Sequence, residues 1–409
     1  MTLRTYVITR ILLTIPMIFI LLTSVFLVMR VLPGDPVQMH FEKMATPETI
    51  QRVRVQLGMD KPLYSQYLDY LGGLFRGDLG RSMQDYSSVG QQIFSAFPAT
   101  LELAICSMLV AGLMGVFLGV ESAKAYNKPK DHAIRVFGII TYAIPVFFLG
   151  MILQMVFGVW LHWLPTGGRT APGMEPAGLN VPLSTSSEFG AYILAPVLAG
   201  LILTGIYLAV KRAKHKLFDR RTFGIVLALF AGTFALVAAI GLYSVSNGGL
   251  HLSTGLFTLD SLLEGNVFKF GSSVKFLILP SLTLGLVLSG IFIRLTRSNM
   301  FETMRLDFVT AARARGLKDR TVTYGYAFRN AFLPVLTMMG LEFALLLGGA
   351  VLTETTFSWP GLGRYLVDRI NFRDYTAIQG AVVVFGIFVS MVSLAVDLLY
   401  AYLDPRIRL

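Results

Sequence analysis

The sequence predicts an all-α protein that crosses a membrane several times. Its 409 residues are 54% hydrophobic and only 14% charged, whereas soluble domains carry about 25% charged residues. Apolar runs of about 20 residues, the length that crosses roughly 30 Å of hydrocarbon, recur along the whole chain. The 39 glycines fit this class, because small residues let membrane helices approach one another closely.

Charged or Pro/Gly-rich breaks separate the apolar runs into about eight spans. The predicted spans lie near residues 9–31, 99–123, 135–161, 191–210, 222–245, 276–297, 331–353 and 377–401. The first run is longer than the core of a signal peptide, and no small-residue cleavage pattern follows it. We therefore expect it to remain as an uncleaved span.

The distribution of Lys and Arg predicts the orientation of these spans. Basic residues concentrate in segments 1–10, 124–135, 211–221, 294–329 and 404–409, which hold 22 of the 35 Lys and Arg but only six of the 24 Asp and Glu. Cytoplasmic loops of membrane proteins carry an excess of Lys and Arg. An even number of spans then places both termini in the cytoplasm, and the net charge of +11 needs no nucleic-acid partner.

The long external segment between the first two spans, residues 32–98, is predicted to contain two short helices. Thr46 followed by Pro47 is typical of a helix start, so a helix from Pro47 to about Leu57 is expected, ended by Gly58. A second, amphipathic helix is expected from Leu63 to Phe75.

The sequence carries no signature of a metal site or of catalysis. Cys106 is the only cysteine, and the five histidines have no paired spacing. Neither a GxxxxGK[ST] phosphate loop nor a GxSxG or HExxH motif occurs. We therefore predict no bound metal or cofactor and no enzymatic activity for the chain itself.

The charged segment, which we define as Arg294–Arg329, is predicted to form a helix, a glycine turn and a second helix. Residues 310–315 favour a helix, Gly316 would end it, and Asp319 would cap a helix through residues 321–330. Its cations have two interpretations: they only orient the chain, or they surround a docking surface. The small residues Ala311, Ala312 and Gly316 favour docking, because they let another surface approach the backbone.

Several motifs of this sequence resemble those of a known family. "TAARARG", followed by "YAFRN" and "FLP", is similar to the EAA loop of ABC-importer permeases. Seven further motifs resemble the dipeptide/oligopeptide/nickel subfamily: "LPGDP" (32–36), "GDLGRS" (77–82), "PATLELA" (98–104), "RLTRSNM" (294–300), "LTETTFSWPGLGRYLVDRI" (352–370), "DYTAIQG" (374–380) and "DLLYAYLDPRIRL" (397–409). The resemblance covers most of residues 1–165 and 275–409.

This resemblance implies a type I ABC-importer permease fold in the cell membrane. It also implies a second permease subunit, two cytoplasmic ATPase subunits that bind the ATP, and an external binding protein. The implied substrates are di- or oligopeptides, with oligosaccharides, nickel and glutathione as alternatives within the subfamily. The positions implied to contact the ATPase are Ala311, Ala312, Gly316, Leu317 and Asp319. Thr310 stands where the family has a glutamate.

The resemblance fails between about Pro172 and Ser273, so the eight spans divide into a six-span core and an inserted hairpin. The predicted division is 1–31 (first span), 32–98 (external segment), 99–165 (spans two and three), 166–275 (inserted region, with its hairpin at about 191–245) and 276–409 (remaining core spans, with the coupling loop at 298–330). The hairpin either packs peripherally against other helices or subunits, or takes part in the pathway.

Ionisable residues inside spans are candidates for function, because each is costly in hydrocarbon. Glu342 is the clearest case, and Glu102 and Asp397 lie nearer to membrane boundaries. Glu342 could line a wet pathway or pair with a residue of a partner subunit. A stand-alone secondary transporter and an intramembrane enzyme are less favoured, because the sequence shows no obvious internal repeat, few buried charges and no pair of nucleophile and base.

Overall fold

A computed structural model describes residues 3–31, 46–56, 60–176, 179–181, 250–348 and 350–403. The predicted spans 191–210 and 222–245 lie outside these residues. The chain divides into two units, one formed by residues 1–173 with 271–409 and the other by residues 174–270.

The described residues are almost entirely helical. The helices are α1 (Leu3–Val31), α2 (Pro47–Gln56), α3 (Leu63–Phe75), α4 (Val89–Lys124), α5 (Pro129–Ala143), α6 (Val146–Leu153), α7 (Phe257–Leu263), α8 (Val267–Thr303), α9 (Asp307–Ala314), α10 (Phe328–Leu347), α11 (Val351–Thr356), α12 (Leu362–Asn371) and α13 (Tyr375–Leu403). Two π-helical stretches, Gln154–Trp160 and Thr321–Ala327, continue α6 and precede α10. The two helices predicted within residues 32–98 are confirmed as α2 and α3.

Five described helices are long and apolar enough to cross a membrane, and a bent pair adds a sixth candidate span. The five helical stretches are Leu12–Arg30, Val89–Lys124, Val267–Thr303, Thr321–Leu347 and Tyr375–Asp397, and the bent pair is Pro129–Ala143 with Val146–Trp160. Their positions correspond to the six spans predicted outside residues 166–275.

The candidate span predicted near 135–161 is bent, because α5 and the helix that follows it meet at an angle of 102°. The break falls at Ile144, whose ψ of 127° is extended, and at Pro145. Proline disfavours the helical conformation in the residue before it and has no N–H to donate to the preceding turn. The Ile-Pro pair is thus sufficient to break the span.

The predicted span over 331–353 also ends early. Helix α10 stops at Leu347, and the chain then forms the two short helices α11 and α12 before α13 begins. Apolar residues continue past Leu347 in the sequence, which is why the pattern alone extended the span.

Glycines on α4 allow close contact with α8. A Cβ added at Gly115 would clash with the Cβ of Phe292, and one added at Gly119 would clash with the side chain of Thr296. Both glycines lie one helical turn apart on the same face of α4. The prediction that glycine serves helix packing in this chain is confirmed at these positions.

The second unit contains a short antiparallel pair of strands, β1 (Leu179–Val181) and β2 (Leu250–Leu252), which the all-α prediction did not include. Val181 pairs with Leu250, so these two residues are neighbours in space although they are far apart in the sequence. In the same unit the buried carboxylate of Asp260 accepts hydrogen bonds from the N–H groups of Thr254 and Gly255.

Candidate coupling segment and membrane pathway

The turn inside the charged segment has the geometry that the sequence predicts for glycine. Helix α9 ends at Ala314, Arg315 caps it, and Gly316 follows with a φ of +73°. The N–H of Gly316 donates to the carbonyl of Arg313 (2.9 Å). This left-handed conformation costs a residue with a side chain roughly 1–2 kcal/mol, so glycine is the favoured residue here.

The chain beyond the turn forms one uninterrupted helical stretch with a predicted membrane span. The carbonyl of Lys318 accepts hydrogen bonds from the N–H groups of Thr321 (2.8 Å) and Val322 (3.1 Å). Helical residues begin at Asp319 and continue to Leu347 without a break. Asp319 is therefore the first helical residue and not the predicted side-chain cap, and the helix predicted to end at Asn330 is the start of a span.

The inner face of the charged segment is buried against the ends of two long helices. Val309, Ala312, Val322 and Ala327 form an apolar cluster with Val120 and Ala123 of α4 and Met300 of α8. Ala312 is 3% exposed. Its side chain therefore contacts its own chain, and its assignment as a docking position is not supported by this geometry.

The other predicted docking positions lie on the outer face. Ala311, Gly316, Leu317 and Asp319 are exposed, as is Thr310. A Cβ added at Gly316 would meet no atom of the described residues within 4 Å. The structure therefore leaves this face of the turn open to a partner surface.

Polar contacts tie the segment to α4. The hydroxyl of Tyr324 donates to Glu121 Oε1 (3.3 Å), and the ammonium of Lys124 lies 5.7 Å from the centroid of the Tyr324 ring. Glu121 also accepts hydrogen bonds from Lys124 (2.8 Å) and Lys130 (2.5 Å). These contacts join the segment, α4 and the start of α5 at one end of the molecule.

A buried ion pair at the same end was not identified from the sequence. Asp131 has no exposed side-chain surface, and its carboxylate accepts from Nε (2.8 Å) and Nη2 (2.9 Å) of Arg297 on α8. The hydroxyl of Ser122 and the N–H of Asn127 complete its hydrogen bonds. A bidentate guanidinium–carboxylate pair fixes geometry well, so α5 is held to α8. The only signal in the sequence was an Asp in the first turn after Pro129.

A second buried network holds α11 and α12 against α4. Glu354 is fully buried and accepts from the hydroxyl of Thr100 (2.7 Å) and the N–H of Arg364 (3.0 Å). The same Thr100 oxygen accepts from the N–H of Leu362 (2.8 Å), and Trp359 Nε1 donates to the carbonyl of Ala99 (2.8 Å). These residues lie in two of the family-like motifs, which predicted their importance but not their contacts.

Two of the three candidate intramembrane charges have partners. Glu102 accepts from Nε (3.0 Å) and Nη2 (2.6 Å) of Arg169, and both side chains are less than 10% exposed. Asp397 lies 3.2 Å from Arg10. In the described part of the chain, no cation lies within 4 Å of the Glu342 carboxylate, and this side chain is only partly buried.

The residue after Glu342, Phe343, lines an apolar groove along α10. This groove has a volume of about 530 Å³, and Met339 of α10 also lines it. The opposite wall comes from α4, and the lining also includes Ile105, Met108, Leu109, Gly112, Leu113, Val116, Phe117, Val120, Tyr324, Phe328 and Phe332. Glu342 is thus the sequence neighbour of a residue that lines an apolar surface, and the described residues leave this surface uncovered.

The several apolar helices that are long enough to cross a membrane define the class as a polytopic membrane protein. The sequence matches the family described as "Binding-protein-dependent transport system inner membrane component" over residues 111–214 and 201–409. It also matches "Binding-prot-dependent transport system membrane comp, N-term" over residues 3–104. The chain belongs to this family.

The sequence is similar to peptide- and glutathione-transport permeases over nearly its whole length. It is 34% identical to the "Di/tripeptide transport system permease protein DppB" of Pseudomonas aeruginosa, over 97% of this chain and 96% of that protein. It is 32% identical to the "Dipeptide transport system permease protein DppB" of Escherichia coli K12, over 98% of each chain. The "Glutathione transport system permease protein GsiC" of Escherichia coli O6:H1 is 31% identical, again over 98% of each chain.

Proposed function

We propose that this chain is a membrane subunit of an ATP-driven importer and forms the pathway for short peptides with a second permease subunit. An external binding protein delivers the peptide, and two cytoplasmic ATPase subunits bind the ATP. Family membership supports the transport system, and the names of the relatives support peptides as its cargo. The observation that carries the proposal is the open turn at Gly316, followed by a helix that continues into a span.

The proposed mechanism transmits motion through the charged segment. The outer face at Ala311, Gly316 and Leu317 docks on an ATPase subunit, with Asp319 at its edge. Movement of the docked turn reaches α10 through the continuous helix and reaches α4 and α8 through the buried cluster. ATP binding then shifts the equilibrium between inward-open and outward-open states.

The proposed orientation follows from the same assignment. The ATPase lies in the cytoplasm, so the charged segment and both termini are cytoplasmic, as the distribution of Lys and Arg predicts. The two helices α2 and α3 then lie outside, where the binding protein approaches. The hairpin proposed for 191–245 stays a prediction.

Reconstituted uptake tests the function. The chain with its second permease, ATPases and binding protein is placed in vesicles, and labelled alanyl-alanine is added on the binding-protein side. We expect uptake that requires ATP and is abolished when the binding protein is omitted. Uptake of labelled glutathione in place of the dipeptide favours the second candidate cargo, which the glutathione-permease relative suggests.

Glu342 is proposed to line the pathway and to meet the ammonium end of a peptide. We expect Glu342→Gln to lower the uptake of alanyl-alanine about tenfold, because the partly buried carboxylate has no cation of its own among the described residues. The variant's uptake of N-acetyl-alanyl-alanine, which lacks the ammonium, serves as the comparison.

A matched control is Glu302→Gln, which removes an exposed glutamate outside the groove. If Glu342→Gln lowers uptake of both peptides equally, or of neither, then Glu342 does not recognise the ammonium group. Pairing of Glu342 with a partner subunit would then be the better interpretation.

A further inference from the structure

A polar cavity of about 630 Å³ lies at the other end of the molecule from the turn at Gly316. Its walls come from the end of α1, from α3, from the segment 78–86 and from the start of α13, and its lining includes Arg30, Tyr70, Asp78, Arg81, Tyr86 and Tyr375. Pockets of about 300–1,000 Å³ are typical of small-molecule sites. Nothing in the coupling mechanism uses this cavity.

Two arginines and two aspartates line the cavity, and one of the aspartates, Asp69, is paired with Lys61 (2.7 Å). Arg30 is partly buried, its Nε donates to Gln66 Oε1 (2.8 Å), and its guanidinium lies 5.4 Å from the centroid of the Phe26 ring. In the residues that the structure describes, no carboxylate lies within 4 Å of Arg30 or Arg81. A partly desolvated guanidinium with only a neutral amide and a ring as neighbours favours an anionic ligand.

The cavity also offers a carboxylate. Asp78 accepts a hydrogen bond from the N–H of Gly80 through Oδ1 (2.8 Å). Among the residues that the structure describes, no Lys or Arg side chain forms an ion pair with Asp78. Among the described residues, Arg30, Arg81 and Asp78 thus line one cavity without an ion-pair partner, and this set matches a ligand that carries both charges.

Hydrogen bonds hold the wall formed by segment 78–86 in place. The hydroxyl of Ser82 donates to Asp374 Oδ2 (2.5 Å), and the N–H of Met83 donates to Asp374 Oδ1 (3.1 Å). Burial alone would raise the pKa of Asp85, but hydrogen bonds from Ser87 and Ser82 and the charge of Arg369 lower that pKa to about 2. Asp85 is therefore ionised at neutral pH and remains paired with Arg369 (3.5 Å).

Aromatic contacts hold the wall formed by α3. Tyr70 stacks on Phe26 of α1 with 5.5 Å between ring centroids, and the hydroxyls of Tyr67 and Thr23 are hydrogen-bonded (2.7 Å). The wall of α3 is thus fixed to α1, and the wall of segment 78–86 is fixed to α12 and to the residue before α13, so the cavity between them is preformed.

We propose that this cavity binds a short zwitterionic peptide by its two ends. Arg30 and Arg81 hold the terminal carboxylate, and Asp78 holds the terminal ammonium. The site rests on the proposed function for its ligand class, and it adds a recognition step on the external side, distinct from the groove beside Glu342.

Peptides with one end blocked test the assignment on the assembled importer in detergent, without binding protein. We expect wild type to bind labelled alanyl-alanine at least tenfold more tightly than alanyl-alaninamide, which lacks the carboxylate. Arg30→Gln should weaken alanyl-alanine about tenfold and change the amide less than twofold, because the amide has no charge for Arg30 to meet. Asp78→Asn should weaken alanyl-alanine but not its N-acetyl derivative.

Two further variants serve as controls. Arg81→Gln changes an exposed side chain, so it keeps the test valid if Arg30→Gln does not assemble. Arg76→Gln, an exposed arginine at the end of α3 outside the cavity, should leave all three affinities unchanged.

If wild type binds alanyl-alanine and alanyl-alaninamide with equal affinity, the proposed site is refuted. ATP-driven uptake of alanyl-alanine by the same preparation would still support the proposed function. Loss of that uptake, with the preference for the acid retained, overturns peptide transport and leaves a carboxylate site. If the cavity variants bind all three peptides normally but bind the purified binding protein less tightly, the cavity is a contact site for the binding protein. That result would overturn the proposal.

Discussion

Gly316→Arg is expected to detach the ATPase subunit and to reduce peptide uptake to the background of vesicles without ATP. The arginine occupies the open side of the turn, where a partner surface must approach the backbone. It also places a side chain on a residue with a φ of +73°, at a cost of roughly 1–2 kcal/mol. Because no atom of the described residues lies within 4 Å of the added Cβ, the variant should still insert and pair with the second permease.

Two glycine variants separate docking from backbone strain. Gly316→Ala carries the same backbone cost without the bulk, so it should retain the ATPase with at most a partial loss of uptake. Gly325→Arg places the same side chain on an exposed glycine of the same segment, outside the turn, and should retain both. Uptake by Gly316→Arg at the wild-type rate would refute the docking assignment.

Glu102→Ala is expected to cost the folded chain about 3–5 kcal/mol in free energy of unfolding. The substitution leaves the guanidinium of Arg169, which is 7% exposed, without its carboxylate in a low-dielectric environment. Arg169 lies beside Gly168, whose N–H donates to the carbonyl of Phe357, so loss of the pair should also loosen the contact between this loop and the end of α11. Unfolding of the purified protein in increasing denaturant measures the change.

The double variant Glu102→Met with Arg169→Met should recover most of this loss, because a buried ion pair replaced by apolar side chains is often neutral or stabilising. Glu175→Ala, which truncates an exposed glutamate, should change the unfolding free energy by less than about 0.5 kcal/mol. If Glu102→Ala unfolds at the same denaturant concentration as wild type, the pair does not stabilise the fold.

Local sequence signals were enough to predict several elements of this fold. Pro47 marked the start of α2, and Gly316 marked the left-handed turn, because these residues act through their own backbone conformations. Apolar length predicted the spans, since the hydrocarbon thickness sets a minimum number of residues. These features depend on neighbours along the chain.

Features that depend on distant contacts could not be read from the pattern. Ala312 looked equivalent to Ala311 in the sequence, and only the packing of α9 on Val120 and Met300 shows that Ala312 faces inward. Glu102 looked like a candidate functional charge near a membrane boundary, and its partner Arg169, 67 residues away, was not predicted. Asp131 drew no functional interpretation, because its partner Arg297 lies 166 residues further along.

The most direct test of the account is the composition of the complex that the intact chain forms when it is extracted in mild detergent and its subunits are counted by native mass spectrometry. The account predicts that wild type elutes with a second permease and two ATPase subunits, whereas Gly316→Arg retains the second permease and loses the ATPases. Elution of the folded wild-type chain alone would contradict the assignment to an importer complex, and retention of both ATPases by Gly316→Arg would contradict coupling through the turn.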